Sequence, residues 1–154
     1  MQPLETIHTD LWQISLPSDW IGHGESAEGA LHFESSDGTK GLYISTWDVN
    51  ETAWQSPVEA IESFKRAEFN SLEELKGYVW KTMIDETAQA DTVTVSLLDN
   101  LARNRNYRIV SKVIAAMPLV VRATFHDCVC VDYAASVDYF APIVASLQLR
   151  KERH

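Results

Sequence analysis

The regular alternation of apolar and polar side chains between Asp91 and Tyr133 most limits what this chain can fold into. Four segments in this stretch change polarity at every residue, as a β-strand with one buried face does. The first ends at a turn signal, Asp99-Asn100. Strands joined by such short connections must be antiparallel, because a parallel return needs a long crossover. The residues expected to face the core are Val93, Val95, Leu97, Leu119, Val121, Ala123, Phe125, Val129, Val131 and Tyr133.

Patterns nearer the amino terminus predict three more strands. Residues 10–16 alternate, with Trp12, Ile14 and Leu16 on one side, and form an opening strand. A loop is expected over the small and polar residues 22–29. The Asp37-Gly38 pair between two alternating segments predicts a hairpin of residues 31–34 and 42–49.

Capping patterns predict the helices. Ser56 followed by Pro57 and Glu59 is typical of a helix start, with an apolar stripe of Val58, Ile61 and Phe64. A second capping box at residues 71–74 predicts a further helix whose stripe includes Leu72, Leu75, Val79, Trp80, Met83 and Ile84. A closing helix is expected from near Asp138 to Leu149, because Pro142 is best tolerated in a first turn.

Together these elements predict an α+β fold. We expect a mostly antiparallel sheet of six or seven strands, with helices packed on it. The 154 residues, of which 45% are hydrophobic, suit a single globular domain spanning residues 1–154, whose tail 150–154 is frayed.

Charge and composition exclude several classes of function. A formal net charge of −9 argues against nucleic acid, whose binding depends on clustered Lys and Arg. The first residues lack the features of a secretory signal, and no apolar run is long enough to cross a membrane. Cys128 and Cys130 lie two apart in one expected strand, a spacing that discourages a disulfide. We therefore expect a cytoplasmic protein with reduced thiols and no membrane insertion.

The order of elements resembles the PsbP-like superfamily, which includes Mog-type Ran-binding proteins, bacterial DcrB-like proteins and Eag-type chaperones of type VI secretion effectors. The resemblance is carried by the opening strand that ends in Leu16-Pro17-Ser18-Asp19-Trp20, by the Asp37-Gly38 hairpin, by four meandering strands and by the closing residues 140–147. It implies a PsbP/Mog-like sandwich, a non-catalytic binding protein, and a last helix followed by a short apolar strand. No motif is shared, so no site residue is carried over.

Cysteine and histidine residues suggest one kind of chemistry. His126, Cys128 and Cys130 fall at every second position, where soft ligands or a thiol nucleophile could share one strand face. A turn at Asp127 and the lack of an obvious fourth ligand favour packing instead, since free Cys is commonly a small hydrophobe. We therefore predict no catalytic residues, no metal and no cofactor. A small-molecule-binding protein or hydrolase with a Cys/His site is the alternative.

The semi-apolar outer face of the sheet is the predicted site of binding. We expect this face to hold an apolar strand or helix of another protein, with Arg122 orienting a carboxylate or carbonyl. The predicted function is a non-catalytic protein-binding module of adaptor, chaperone or immunity type, for which the resemblance adds a link to bacterial secretion. Two other readings stay open: a second copy of the chain binds there, or the helix near residues 57–68 covers the face. The residues predicted to bind the partner are Trp47, Tyr43, Val110, Val120 and Arg122.

Overall fold

The computed structural model describes residues 3–26, 29–48 and 54–150. Two α-helices and ten strands lie within these ranges, so the predicted end of the hairpin at Val49 and the tail 151–154 fall outside them. The elements are β1 (Leu4–His8), β2 (Trp12–Pro17), β3 (Ile21–Glu25), β4 (Leu31–Glu34), β5 (Lys40–Asp48), α1 (Pro57–Glu73), β6 (Trp80–Ala90), β7 (Val93–Ala102), β8 (Tyr107–Ala116), β9 (Leu119–Asp127), α2 (Tyr133–Ser146) and β10 (Gln148–Leu149).

The strands form two sheets in which every pair is antiparallel. The larger has seven strands in the order β3-β4-β5-β9-β8-β7-β6, and the smaller has three in the order β1-β2-β10. Helix α1 packs on one face of the large sheet, against β7 and β8. Helix α2 and strand β2 pack on the other face. The prediction of an α+β sandwich with an antiparallel sheet is confirmed.

The hairpin of β4 and β5 forms where Asp37-Gly38 predicts it. Gly38 has a φ of +73°, which glycine adopts without steric cost. The Asp37 carboxylate accepts hydrogen bonds from the backbone N–H and the hydroxyl of Thr39 and from Ser35. These bonds stabilise the charged form and lower the pKa of Asp37 to about 2.

Helix α1 begins as predicted, but it continues to Glu73, and no second helix starts at the capping box of residues 71–74. The Ser56 hydroxyl accepts the Glu59 N–H at 3.1 Å and caps the first turn. Ile61 and Phe64 are buried as expected, whereas Val58 is 56% exposed. Ser71 lies inside the helix, and its hydroxyl donates to the Ala67 carbonyl one turn earlier rather than capping a new helix.

The predicted second helix is instead strand β6. After Glu73 the chain turns through Gly77, at a φ of +85°, and then pairs along its length with β7. Helical spacing of apolar residues is therefore misleading here, because the pairing with β7 outweighs local preference. Asp99 and Asn100 likewise lie within β7, fully buried, where Arg108 and Glu68 respectively bond to them. The expected turn at this pair is wrong.

Two other short segments also differ from expectation. Residues 21–25 form the edge strand β3, although residues 22–29 were expected to be a loop; this strand has an irregular register between Gly22 and Gly24. The expected strand at residues 128–133 is a turn that leads into α2, because the Asp132 side chain accepts the Ala135 N–H and starts the helix there. As a result Val129 and Val131, expected in the core, are exposed.

Helix α2 therefore begins at Tyr133, five residues earlier than predicted, and contains Pro142 in its interior. Pro142 and Asp138, four residues before it, are both exposed, so the missing hydrogen bond lies on the solvent side of the helix. Phe140 and Ile143 pack on the sheet from the opposite side. The short strand β10 follows, as the resemblance implies. Neither helix in the described ranges is long and apolar enough to cross a bilayer.

Candidate functional site

Helix α1 covers the predicted binding face. Tyr43, Trp47, Val120 and Arg122 do share one face of the sheet, since Trp47 pairs with Val120 and Tyr43 with the neighbouring Thr124. Val120, however, is 0% exposed beneath α1, and the Trp47 ring lies 4.8 Å from the Phe64 ring of that helix. The expectation of a partly open face is wrong at Trp47, Val120 and Arg122, where α1 packs over the sheet, whereas Tyr43 lies outside the helix and stays exposed.

Val110 does not belong to that face at all. It pairs with Phe125 and is buried in the core on the α2 side. Tyr43, at 39%, is the most exposed of the five predicted residues. Its ring stacks on that of His32 at 4.3 Å, with an interplanar angle of 3°. The five predicted residues therefore do not form one surface.

Arg122 is already engaged within the protein. Its guanidinium lies 3.3 Å from Glu68 Oε1 and covers the ring of Phe64. Glu68 also accepts hydrogen bonds from Ser111 and Asn100. Burial raises the pKa of Glu68, against the opposing effect of these partners. This polar cluster joins α1 to the sheet, so Arg122 is not available to orient a partner's carboxylate.

The cysteine and histidine residues lack the properties of a reactive thiol site. The His126 Nδ1 atom is hydrogen-bonded to the Tyr107 hydroxyl at 2.7 Å. Burial, with Arg122 and His32 nearby, lowers the pKa of His126 to about 4, so the imidazole is neutral near pH 7. Burial and the Asp127 carboxylate raise the pKa of Cys128, and burial raises that of Cys130. An activated nucleophile needs the opposite shift.

An uncovered part of the sheet lies on the other face, beside α2. Strand register places rows of side chains across β6, β7 and β8. One row is Glu86, Leu97 and Lys112, and the next is Ala88, Val95 and Ile114. Val93, Val95 and Leu97, which were expected in the core, are only half-buried because α2 lies to one side of them. We call this surface the β7 groove.

The β7 groove is lined mainly by apolar side chains and extends along the strands. Strands β6, β7 and β8 form its floor. The part between this floor and α2, called the upper part, has a volume of about 450 Å³. The lower part, of about 930 Å³, continues along the strands past Val93. The two parts share Val95 and Lys112. The residues of α2 that form the wall of the upper part are Val137, Phe140, Ala141, Val144 and Ala145.

A buried ionic network closes the upper end of the groove. Arg108 donates to both carboxylate oxygens of Asp99, at 3.0 and 2.9 Å, and to the Ser136 hydroxyl of α2 at 2.9 Å. Ser136 in turn donates to Asp127, and Tyr133 donates to Asp99. These bonds connect α2 to three strands of the sheet. The position of the groove wall is therefore determined by the same contacts that hold the helix.

Sequence patterns could not reveal the β7 groove. Glu86 lies at the end of the segment expected to be helical, and Ala88 follows it outside any predicted strand. Val93, Val95 and Leu97 have the pattern of core residues, and only the position of α2 leaves them partly uncovered. Nothing in the alternation of apolar and polar residues distinguishes a groove from a core.

The fold and the groove define an α+β sandwich whose large sheet carries α1 on one face and α2 with β2 on the other, where the β7 groove stays open. This is the PsbP/Mog-like fold. The solution structure of cyanobacterial PsbP (CyanoP) from Synechocystis superimposes with a TM-score of 0.69 at 12% identity, over 97% of this chain and 94% of that one. The Ran-binding protein Mog1p of Saccharomyces cerevisiae gives a TM-score of 0.63 at 10% identity, over 97% and 96%. No protein-family model and no curated protein matches the sequence.

Proposed function

We propose that this protein is a non-catalytic protein-binding module, of adaptor, chaperone or immunity type, and that it receives an apolar segment of a partner in the β7 groove. The observation that carries the proposal is the partly open apolar floor of β6, β7 and β8 beside α2. Contiguous apolar surface of this kind commonly marks a site of protein interaction.

Two further observations support protein binding over the alternative with a Cys/His site. The raised pKa values of Cys128 and Cys130 disfavour thiolate chemistry. The groove is also open along its length, whereas sites for small molecules usually enclose most of the ligand. Mog1p, which has this fold, is by name a Ran-binding protein.

Substitutions on the two faces of β6 test the proposal. Ala88 points into the groove, and its neighbour Gln89 points to the α1 side; both are exposed. Tagged wild-type, Ala88→Asp and Gln89→Asp proteins would be used to capture partners from an extract of the source organism, with quantification by mass spectrometry. We expect a partner that is retained by wild-type and Gln89→Asp proteins and lost with Ala88→Asp. Equal capture by all three folded proteins would contradict the proposal.

Sedimentation of the same three proteins tests whether the partner is a second copy of the chain. A mass that rises with concentration for the wild-type and Gln89→Asp proteins, but not for Ala88→Asp, would assign the groove to self-association. A monomer mass for all three proteins supports a different protein as the partner.

A further inference from the structure

Lys112 places a positive charge at the centre of the β7 groove, where its upper and lower parts meet. Its Nζ atom donates hydrogen bonds to two carbonyls at the end of α2, Val144 at 2.8 Å and Leu147 at 3.0 Å. Among the residues that the structure describes, no carboxylate lies within 4.0 Å of this ammonium group. An ammonium has three protons to donate, so one remains for a further acceptor.

The surroundings of Lys112 favour an anionic acceptor. The groove around Lys112 is mostly apolar. Its carboxylates are Glu86, which lies two strands away in the same row, Asp48 in the lower part, and Asp99, which is bonded to Arg108. Burial lowers the pKa of Lys112. The two carbonyls carry only the partial negative charge of a helix end. A carboxylate would supply the full opposite charge that a partly buried ammonium lacks, and a ligand that covers the groove would remove more water and strengthen the pair.

The shape of the groove favours a helix. Its floor is three strands wide, about 10 Å between the outer strands, and α2 forms the wall, so a second helix could lie beside α2 at the usual distance of about 8–10 Å. From Asp99 to Val93 the floor is about 20 Å long, which corresponds to about 13 residues of helix. An added strand at the β6 edge would instead lie in the plane of the sheet and leave Val95 and Leu97 uncovered.

We infer, on the basis of the proposed function, that the occupant of the β7 groove is an amphipathic partner helix whose apolar stripe contains one acidic side chain, and that Lys112 binds this carboxylate. The apolar residues of the helix cover Val95 and Leu97. The carboxylate accepts the third Lys112 proton. Lys112 thereby selects among apolar helices by charge, because an unpaired ammonium under a purely apolar stripe is costly to bury.

Three synthetic peptides test this inference. Each has 16 residues, a Leu/Ala apolar stripe and a hydrocarbon staple on its polar side, which keeps the helix formed before binding. They differ only at the central position of the stripe, which is Glu, Gln or Lys. Binding is measured by fluorescence anisotropy. For the wild-type protein we expect the Glu peptide to bind about tenfold or more tightly than the Gln peptide, as a close and shielded charge pair would produce, and the Lys peptide to bind most weakly.

Variants at Lys112 identify the source of the preference. In Lys112→Met the Glu and Gln peptides should bind equally, whereas Lys112→Arg should keep the preference for Glu. Because Lys112 also contacts the end of α2, thermal melting is recorded for each variant. The Arg variant controls for that contact, since it retains the charge and the donors.

The two proposals fail in different ways. Equal binding of the Glu and Gln peptides to the wild-type protein would overturn the role of Lys112 and leave the groove as a binding site. Absence of binding by all three peptides, or binding that Ala88→Asp does not weaken relative to Gln89→Asp, would overturn the helix-binding groove itself.

Discussion

Glu68 of α1 and Arg122 of β9 lie 3.3 Å apart across the interface between the helix and the sheet, and Glu68 is only 5% exposed. The Arg122 Nε atom is buried without a hydrogen-bond partner among the described residues. The pair thus places a charged group at the centre of the surface that α1 covers. It explains why Arg122, on the sheet face that the sequence predicts to be semi-apolar, is not free to bind a partner.

Removal of the Glu68 carboxylate should weaken the attachment of α1. In Glu68→Leu the Arg122 guanidinium loses its opposite charge, and Ser111 and Asn100 lose an acceptor. We expect the free energy of unfolding to fall by about 2 to 3 kcal/mol, near the lower limit for a buried pair because Arg122 keeps some contact with solvent. Urea denaturation followed by tryptophan fluorescence measures this loss.

Glu68→Gln is the matched control for that substitution. The amide retains an acceptor for Ser111, and burial already raises the pKa of Glu68, so a neutral group should cost about 1 kcal/mol or less. Since a raised pKa favours the protonated carboxyl in the folded state, the wild-type protein should lose stability relative to Glu68→Gln as the pH rises above 4.5. A loss of about 1 kcal/mol or less in Glu68→Leu, no larger than that in Glu68→Gln, would show that the cluster does not hold α1.

Protonation of His126 should destabilise the protein in acid. Its pKa is about 4 in the folded protein, against 6.5 in an unfolded chain, so the unfolded state binds more protons between these values. The contribution of His126 to stability should therefore be constant above pH 6.5 and fall as the pH drops towards 4, by about 3 kcal/mol in total at 1.36 kcal/mol per pKa unit.

Denaturation between pH 7 and 4 in wild-type and His126→Gln proteins isolates this effect. Glutamine can also hydrogen-bond to Tyr107 but does not titrate, so the stability of the wild-type protein relative to His126→Gln should fall as the pH is lowered from 7 to 4. An imidazole proton resonance of His126 that titrates near pH 6.5 in the folded protein would contradict the shift.

Two serines test the position of the helix boundary. Ser56→Ala removes the acceptor for the Glu59 N–H and should cost about 1 kcal/mol, as other N-cap substitutions do. Ser71→Ala should change stability by less than about 0.5 kcal/mol, because Ser71 lies within α1 with its side chain exposed to solvent, and alanine is the better helix former. Thermal melts of both variants measure the difference; a larger loss at Ser71 would instead support a second helix start there.

Cys128 should react slowly with thiol reagents near neutral pH. The residue is exposed at the surface, but its thiol is partly buried. This burial and the Asp127 charge raise the pKa of Cys128 above its ordinary value of 9.0. The rate of alkylation by iodoacetamide should rise about tenfold for each pH unit up to that pKa, because the thiolate is the reactive form. Cys128→Ser should leave only Cys130, which is buried and should label more slowly still. A rate that levels off below pH 8 would favour thiol chemistry.

The sequence is informative wherever a signal is local. The Ser56 cap and the Asp37-Gly38 turn involve residues within a few positions of each other, and both form as predicted. The alternation in β7, β8 and β9 also predicts a sheet correctly, since the two faces of a strand differ in composition. The second helix fails because the apolar residues after Gly77 fit helical spacing as well as they fit a strand paired with β7.

By itself, then, the sequence determined the antiparallel sheet, the start of α1 and the apolar content of both sheet faces, because these depend on neighbouring residues. Only the tertiary structure decided which apolar face is covered and which is open. Helix α1 lies over Val120, whereas α2 lies to one side of Val95 and Leu97. The reason is physical: alternation shows that a side chain is apolar, but its burial depends on an element distant in sequence that packs, or does not pack, against it.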